Sequence, residues 1–223
     1  MCGRFAQYSS LNAIKGLLSL EKVTCDVKPS YNVAPSRNIL AVINHNGNRL
    51  GKLSWGFIPS WAKNIENAPK HINARMETIN EKPTFKTAFR NKRCLIPADG
   101  YYEWEKTEKG KQPWYITLPS GKLLFFAGLW QKWGNGESAL FSCTIITASA
   151  SESVSDIHHR MPVILSPDKA GSWLYPDLHD DSLLLNFLKT NRIMDLKTIP
   201  VSKYVNSVAN NSPQCIEPLS KNI

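Results

Sequence analysis

Short runs in which hydrophobic residues alternate with polar ones dominate the chain, and this period of two predicts β-strands. Residues 38–57 (NILAVINHNGNRLGKLSWGF) predict two strands joined by a tight turn at Asn46-Gly47, a dipeptide that favours such turns. Residues 93–106 predict a further pair of short strands around Asp99-Gly100. More strands follow, separated by turns rich in Gly and Pro, at residues 112–118, 122–133, 138–150 and 161–166.

Helical patterns are fewer. Residues 10–20 are amphipathic, and Ser10 is placed to cap their first turn. Helices are also predicted over residues 84–91, 167–175 and 181–190, with an irregular tail from Ser202. Consecutive hairpins with helices set between them predict an α+β fold, one domain with a mostly antiparallel, barrel-like curved sheet and a few peripheral helices. Strands and helices do not alternate regularly, which disfavours a Rossmann or TIM-barrel arrangement.

The composition is that of an ordinary globular protein, and the distribution of charge indicates a class of partner. The chain has 223 residues, 42% hydrophobic and 20% charged, an ordinary globular mixture. Its longest apolar run, residues 123–130, is too short to span a membrane, and its start lacks the apolar stretch of a signal peptide, so we expect a soluble cytoplasmic protein.

Residues 28–98 hold 12 basic and 3 acidic residues, which accounts for the whole net charge of +9. This favours a polyanion partner such as nucleic acid; the alternative is a basic surface without a partner.

The cysteines and histidines do not form a metal-binding or disulfide pattern. Cysteines stand at positions 2, 25, 94, 143 and 215, without a CxxC motif, and the five histidines show no HExxH motif. Cys94 and Cys143 lie in apolar runs and are predicted to be small core residues.

Cys2 has distinctive chemistry if Met1 is trimmed. Its α-amine and thiol would then form a 1,2-aminothiol, with both groups nucleophilic near neutral pH. Such a pair condenses with an aldehyde to an imine, and the thiol then closes a durable five-membered thiazolidine ring. The alternative is an accidental second residue in a frayed terminus.

Two groups of residues suit acid–base chemistry. His158 and His159 precede Arg160, and an extended backbone would point the two rings in opposite directions, so that one ring faces a given site. Glu103 shares a predicted strand face with Glu105 and has aromatic neighbours in sequence, which favours a partly desolvated carboxyl with a raised pKa. The alternative for the two histidines is a polar entry to the strand that follows them. The alternative for Glu103 is a solvated charged face.

Asn73 and Arg75 share the face of another predicted strand. The guanidinium suits a phosphate, and the amide suits a sugar or a base edge. The alternative is a buried Asn73 that satisfies backbone groups, with Arg75 paired to Glu77.

Aromatic residues lie within the same basic segment, as in proteins that stack single-stranded bases on their rings. Trp55 and Phe57 are predicted to be core residues. Trp61 follows a Pro-Ser pair and is predicted to lie on an exposed loop.

Taken together, these stretches resemble one family, the SOS response-associated peptidase (SRAP) proteins, which process abasic sites in DNA. The matching motifs run in order over residues 1–165, about three quarters of the chain, and chance does not explain so many in order. They are MCGRF, YNVAPS, WGFIPSW, INARMET, RCLIPADGYYEW, KQPWYI, TIITASA and DIHHRMPVIL. The resemblance implies a single SRAP domain over residues 1–223, in which residues 166–223 supply C-terminal helices and a tail.

The resemblance also implies an activity. Met1 is removed, and Cys2 forms a thiazolidine DNA–protein crosslink with the ring-opened aldehyde of an abasic site in single-stranded DNA. Glu103 is then the general acid/base, Asn73 senses the abasic sugar, and His158 stabilises it. The resemblance implies an enzyme without metal or cofactor that acts as a monomer in the cytoplasm and joins the nucleoid when bound to DNA.

The same resemblance implies a positively charged groove for DNA. Its expected contacts are Arg4, Asn32, Pro35, Arg37, Trp61, Arg75, Thr147 and Ser149. The family commonly has a second aromatic residue after the Trp of WGFIPSW, but this chain has Ala62, which argues against a wedge of two rings.

Three other activities remain open at this point. N-terminal-nucleophile glutamine amidotransferases also begin Met-Cys-Gly, but here Arg4-Phe5 follows and no second synthase domain is recognisable. A non-catalytic single-stranded DNA-binding module would bind intact and abasic DNA alike. The family name indicates proteolysis, which we interpret as self-release of the N-terminus through Cys2 or Glu103 rather than digestion of other proteins.

Overall fold

The structure is a computed structural model that describes residues 2–219. Met1 and residues 220–223, the end of the predicted irregular tail, lie outside the described residues. The strands are β1 (Phe5–Gln7), β2 (Lys22–Val23), β3 (Ser30–Val33), β4 (Asn38–Asn44), β5 (Asn48–Trp55), β6 (Asn73–Arg75), β7 (Arg93–Ala98), β8 (Gly100–Thr107), β9 (Gly110–Thr117), β10 (Leu124–Trp133), β11 (Leu140–Ser149), β12 (Arg160–Pro162), β13 (Ile164–Leu165) and β14 (Lys197–Pro200). The helices are α1 (Leu11–Leu17), α2 (Lys86–Asn91), α3 (Glu152–Ser155), α4 (Pro167–Trp173) and α5 (Asp181–Asn191). Short 3-10 turns lie at Met76–Thr78, Gly136–Ser138, Lys203–Asn206 and Pro213–Cys215.

Five strands close into a barrel in the order β4, β5, β11, β10, β7 and back to β4. All neighbours are antiparallel except β5 and β11, which pair in parallel where Ser54 faces Ser142. Closure leaves these five strands without a free edge. The predicted α+β fold with a mostly antiparallel, barrel-like sheet is therefore confirmed.

A second, antiparallel sheet has the order β14, β9, β8, β1, β3. In it β1 lies between β3 and β8, with Phe5 opposite both Val33 and Tyr101. The first strand of the chain is thus held between two neighbouring strands. Cys2, three residues before β1, lies in the protein interior.

The turn predicted at Asn46-Gly47 is confirmed. Both residues have positive φ, +52° and +99°, which is the backbone twist that matches two antiparallel strands. It joins β4 to β5 in register from Asn38 opposite Ser54 to Asn44 opposite Asn48.

Residues 93–106 form two strands, as predicted, but these strands do not pair with each other. β7 belongs to the barrel and β8 to the second sheet. The chain changes sheets at Asp99, whose carboxylate accepts the backbone N–H of Ser9 at 2.9 Å while its own N–H donates to the carbonyl of Ala6 at 2.9 Å. This link between the two layers replaces the hairpin that the Asp-Gly pair suggests.

Each face of the barrel strands packs against a different layer. One face joins Cys2, Phe5 and Tyr101 in a buried cluster with Trp55 and Phe126. The opposite face packs against helices α1, α2, α4 and α5. Trp55, Phe57, Cys94 and Cys143 are buried, as the sequence predicted.

The predicted helices are confirmed as α1, α2, α4 and α5, and the Ser10 side chain caps α1 by accepting the N–H of Ala13. The single strand predicted over residues 161–166 is instead two, because the segment changes partner at Val163. Before Val163, β12 pairs with β11, and after it β13 pairs with β10. No helix within residues 2–219 has the length and apolar character needed to cross a membrane.

Candidate active site around Cys2

Cys2 is fully buried, and Asn73 holds its backbone. The Nδ2 of Asn73 donates to the carbonyl oxygen of Cys2 at 2.9 Å. Asn73 is itself fixed because β6 pairs in parallel with β11, and the indole N–H of Trp55 donates to the carbonyl of Ile72 at 2.9 Å. The Oδ1 of Asn73 is buried and accepts no hydrogen bond from the described residues.

Glu103 lies on β8 with only 5% of its surface exposed. Residues two apart on a strand share a face, so Glu103 and Tyr101 point to the same side. Burial raises the pKa of the Glu103 carboxyl above its usual range. Glu105, predicted on this face too, is partly exposed and accepts the indole N–H of Trp114 at 2.9 Å.

The Cys2 thiol and the Glu103 carboxyl influence each other. Burial raises the pKa of the Cys2 thiol far above its ordinary value, and the negative charge of Glu103 raises it further. The sulfur is therefore a protonated thiol at neutral pH. The charge of Glu103 therefore reaches this thiol, and a carboxyl with a raised pKa is suited to proton transfer.

His158 lies between α3 and β12. Its backbone N–H donates to the carbonyl of Val154, and its Nδ1 accepts the N–H of Arg160 at 2.9 Å. Burial lowers the pKa of His158, so the ring is largely neutral at pH 7. The ring stacks on His159 with centroids 4.4 Å apart.

This stacking corrects the prediction that the two histidine rings point in opposite directions. The segment is not extended at His158, because its backbone continues the turn that ends α3. His159 is exposed, and its pKa is lowered chiefly by the charge of His158.

Arg160 forms a two-pronged ion pair with Glu77. Its Nη1 and Nη2 lie 2.7 and 2.9 Å from the two carboxylate oxygens, and Nη2 also donates to the carbonyl of Thr147 at 2.7 Å. Glu77 therefore does not pair with Arg75, the alternative considered from the sequence. Arg75 is exposed and makes no ion pair within residues 2–219.

Arg4 and Asn32 join the start of the chain to its C-terminal segment. Arg4 donates to Asn32 Oδ1 at 2.7 Å and to the carbonyl of Val205 at 3.0 Å. The Nδ2 of Asn32 lies 2.9 Å from the carbonyl of Ser207 and 2.7 Å from that of Asn210, and the side chain is buried. Their roles as DNA contacts stay predictions, and the bonds described here occupy the Asn32 amide within the fold.

The remaining residues predicted to contact DNA differ in exposure. Trp61 is 60% exposed on a turn, as the sequence predicted. Thr147 is buried within β11. The others are exposed or half-buried, namely Pro35, Arg37, Arg75 and Ser149.

The sequence pattern does not indicate the surroundings of two residues, Arg160 and Tyr101. The sequence indicates only a fixed charge at Arg160 and offers Arg75 as one alternative partner of Glu77. Both β6, which precedes Glu77, and β12, which begins at Arg160, pair with β11, and this brings Glu77 and Arg160 together. Tyr101 is not singled out by the sequence pattern at all. The signal for Tyr101 is its position two residues before Glu103 on the same strand.

The class of this protein follows from its match to a known family. The sequence profile of the SOS response associated peptidase (SRAP) family matches residues 1–208, and the chain belongs to that family. The predicted resemblance is thereby confirmed, with the match extending past residue 165.

Several curated relatives cover the chain. The abasic site processing protein YoqW of Bacillus subtilis is 46% identical over 222 residues, covering 97% of this chain and 99% of YoqW. The abasic site processing protein YedK of Escherichia coli is 30% identical over 98% of this chain and 100% of its own. The abasic site processing protein HMCES of Gallus gallus is 33% identical over 86% of this chain and 67% of its own.

Solved structures show the same fold. A protein from Bacteroides thetaiotaomicron superimposes with a TM-score of 0.82 at 23% identity, covering 97% of this chain and 99% of that chain. A phage-related protein from Bordetella bronchiseptica superimposes with a TM-score of 0.70 at 28% identity, covering 90% of this chain and 94% of that chain.

Proposed function

We propose that this protein processes abasic sites in single-stranded DNA by linking Cys2 covalently to the opened sugar. The observation that carries the proposal is the 2.9 Å bond from Asn73 to the Cys2 carbonyl, which holds the N-terminal cysteine in a buried site with Glu103. The names of the relatives, which describe abasic site processing, support the substrate.

The chemistry begins once Met1 is removed. The free α-amine of Cys2 attacks the C1 aldehyde of the opened sugar, water leaves, and a protonated imine forms. The Cys2 sulfur then gives up its proton and adds to the same carbon, while the electron pair of the C=N bond moves to nitrogen. The product is a neutral five-membered thiazolidine.

Glu103 is the proposed proton carrier in these steps. Opening of the sugar hemiacetal needs a proton at the ring oxygen, and the C1 hydroxyl returns a proton to the carboxylate as the aldehyde forms. Loss of water then uses this proton. Because burial raises the Glu103 pKa, a larger fraction of this carboxyl than of an exposed glutamate is protonated near neutral pH and able to donate its proton. It then accepts the thiol proton before the sulfur adds.

Asn73 and His158 are proposed to bind the opened sugar. The vacant Oδ1 of Asn73 accepts a sugar hydroxyl, while its Nδ2 keeps Cys2 in place. A neutral His158 stabilises the sugar without repelling the protonated imine.

The DNA backbone is proposed to lie along the basic segment. Arg37 and Arg75 are exposed and suited to phosphates, and Trp61 offers an exposed ring on which a base stacks.

We propose that the protein works as a monomer, without metal or cofactor, on DNA in the cytoplasm. Its peptidase activity is proposed to be the release of Met1: the Cys2 thiol attacks the Met1 carbonyl, the Met1–Cys2 amide bond breaks as a thioester forms and the α-amine is freed, and water then hydrolyses the thioester.

The test is a denaturing gel of the protein mixed with single-stranded DNA that carries one abasic site. A band that survives heat, depends on Cys2 and is absent with intact DNA is expected. Equal non-covalent binding of intact and abasic DNA without such a band would indicate a binding module. Release of ammonia from glutamine would indicate an amidotransferase.

A further inference from the structure

The hydroxyl of Tyr101 is buried and has no hydrogen-bond partner among the described residues. The residue is 1% exposed. Its neighbour Tyr102 is buried equally well but points to the other face of β8, where its hydroxyl donates to the carbonyl of Tyr31 at 2.6 Å. One hydroxyl is therefore satisfied by the fold, and the other is not.

The position of Tyr101 is fixed by packing. Its backbone is opposite Phe5 on β1 and Ile116 on β9, and its ring meets Phe126 edge to face at 6.2 Å. It shares a strand face with Glu103 and a buried cluster with Cys2. Burial raises the pKa of Tyr101, and the charges of Cys2 and then Glu103 raise it further, so both groups lie within electrostatic reach of its hydroxyl.

A buried hydroxyl without a partner destabilises the folded protein, because it has lost its hydrogen bonds to water. Phenylalanine would fill the same volume without this cost. Such groups in a folded protein call for an explanation, and a partner that appears only during the reaction provides one.

We propose that the Tyr101 hydroxyl donates a hydrogen bond to the Cys2 sulfur while the sulfur is a thiolate, in the step that closes the thiazolidine ring. The inference rests on the proposed function and deepens it. The sulfur loses its proton to Glu103 and becomes an anion in an apolar cluster, where a neutral donor stabilises it without adding charge. As the C–S bond forms, the negative charge disappears and the hydrogen bond weakens. Tyr101 transfers no proton.

The matched pair Tyr101→Phe and Tyr102→Phe tests this proposal. Each variant removes one hydroxyl from neighbouring buried rings on opposite faces of the same strand. Both are mixed with abasic single-stranded DNA, and samples are quenched over time with and without borohydride. Borohydride fixes the imine, whereas the thiazolidine survives heating without it.

Tyr101→Phe is expected to form the imine at the wild-type rate. It is expected to convert the imine to the heat-stable adduct about tenfold more slowly than the wild type. A slowing of this size corresponds to the loss of one hydrogen bond to a charged acceptor. The delay is expected to shrink as pH rises, because hydroxide then helps to form the thiolate. Its thermal midpoint is expected to equal or exceed that of the wild type. Tyr102→Phe is expected to lower the thermal midpoint and to leave the partition between imine and stable adduct unchanged.

Three outcomes would overturn the proposal: an unchanged partition in Tyr101→Phe, equal slowing of imine formation and ring closure, or the same partition change in Tyr102→Phe. Failure of the proposed function has a different signature, because wild-type protein would then form neither imine nor stable adduct.

Discussion

The side chain of Asn73 holds the backbone carbonyl of Cys2 across 71 residues of sequence, with 2.9 Å between the two atoms. Cys2 lies in a buried cluster, so the bond fixes the direction in which the α-amine and the thiol project. A reactive group at the end of a chain would otherwise sample many positions, and its reaction would be slower for entropic reasons.

The first prediction concerns the two nucleophiles of Cys2. Cys2→Ala should form no heat-stable adduct and should keep most of its affinity for DNA, since the basic segment is unchanged. Cys2→Ser should form an imine that borohydride traps, because oxygen closes a less durable ring. A denaturing gel and a binding titration measure the two effects, and a wild-type level of stable adduct in Cys2→Ala contradicts the assignment.

The second prediction concerns salt. Each phosphate contact to single-stranded DNA contributes about 0.7 to the slope of log affinity against log salt concentration. Arg75 is exposed and has no ion-pair partner within residues 2–219, so Arg75→Ala should reduce the slope by about one contact. Lys109→Ala, an equal change of charge in the exposed turn between β8 and β9, should leave the slope unchanged. Equal slopes for Arg75→Ala and wild type would exclude Arg75 as a phosphate contact.

The third prediction concerns the contribution of Asn32 to the stability of the fold. Its buried amide joins Arg4 to the carbonyls of residues 205–210, and Asn32→Ala leaves these groups unsatisfied. The free energy of unfolding should fall by about 1–3 kcal/mol. Asn38→Ala, at an exposed position on β4, should have little effect. Denaturant titrations give the stabilities, and an unchanged stability of Asn32→Ala would contradict this role.

The sequence predicted the barrel strands and the hydrophobic core because local patterns encode them. The alternation in residues 38–57 and the turn at Asn46-Gly47 are sufficient to define a hairpin. The partners of side chains are not encoded in this way. Glu77 lies two residues from Arg75 and yet pairs with Arg160, because β6 and β12 both pair with β11 and so bring these two side chains together. The separation of β7 from β8 depends on Asp99 binding to residues near the start of the chain.

The fourth prediction concerns Glu103 as a proton carrier. Loss of one general acid or base slows a reaction by about 10²–10⁴-fold. Glu103→Gln should therefore slow formation of the stable adduct strongly, while the amount at long times still approaches the wild-type level. Release of preformed adduct should slow as well, since the reverse path uses the same group. Wild-type rates in both directions would make Glu103 an ordinary buried carboxylate.

The pH dependence of stability gives an independent check on Glu103. Because its pKa is raised in the folded state, the folded protein binds this proton more tightly than the unfolded chain does. The resulting stabilisation is present below the unfolded value of about 4.3 and is lost as pH rises through the folded value. Glutamine does not titrate, so the stability of Glu103→Gln relative to wild type should increase as pH rises from the unfolded value through the raised folded value. Thermal midpoints at several pH values measure this difference, and a decrease would contradict the raised pKa.

The last prediction concerns the position of Cys2 at the start of the mature chain. Insertion of Gly between Met1 and Cys2 makes the Cys2 nitrogen an amide, which forms no imine with an aldehyde. The amine then belongs to Gly, and the thiol lies too far along the chain to close a five-membered ring with it. The thiol alone gives only a reversible hemithioacetal. This variant should therefore bind abasic DNA normally and form no heat-stable adduct, with an imine at most after borohydride. A stable adduct at the wild-type rate would show that the linkage does not need the 1,2-aminothiol. Mass spectrometry of the N-terminal peptide confirms that Gly begins the chain, so a stable adduct cannot be explained by trimming that exposes Cys2 again.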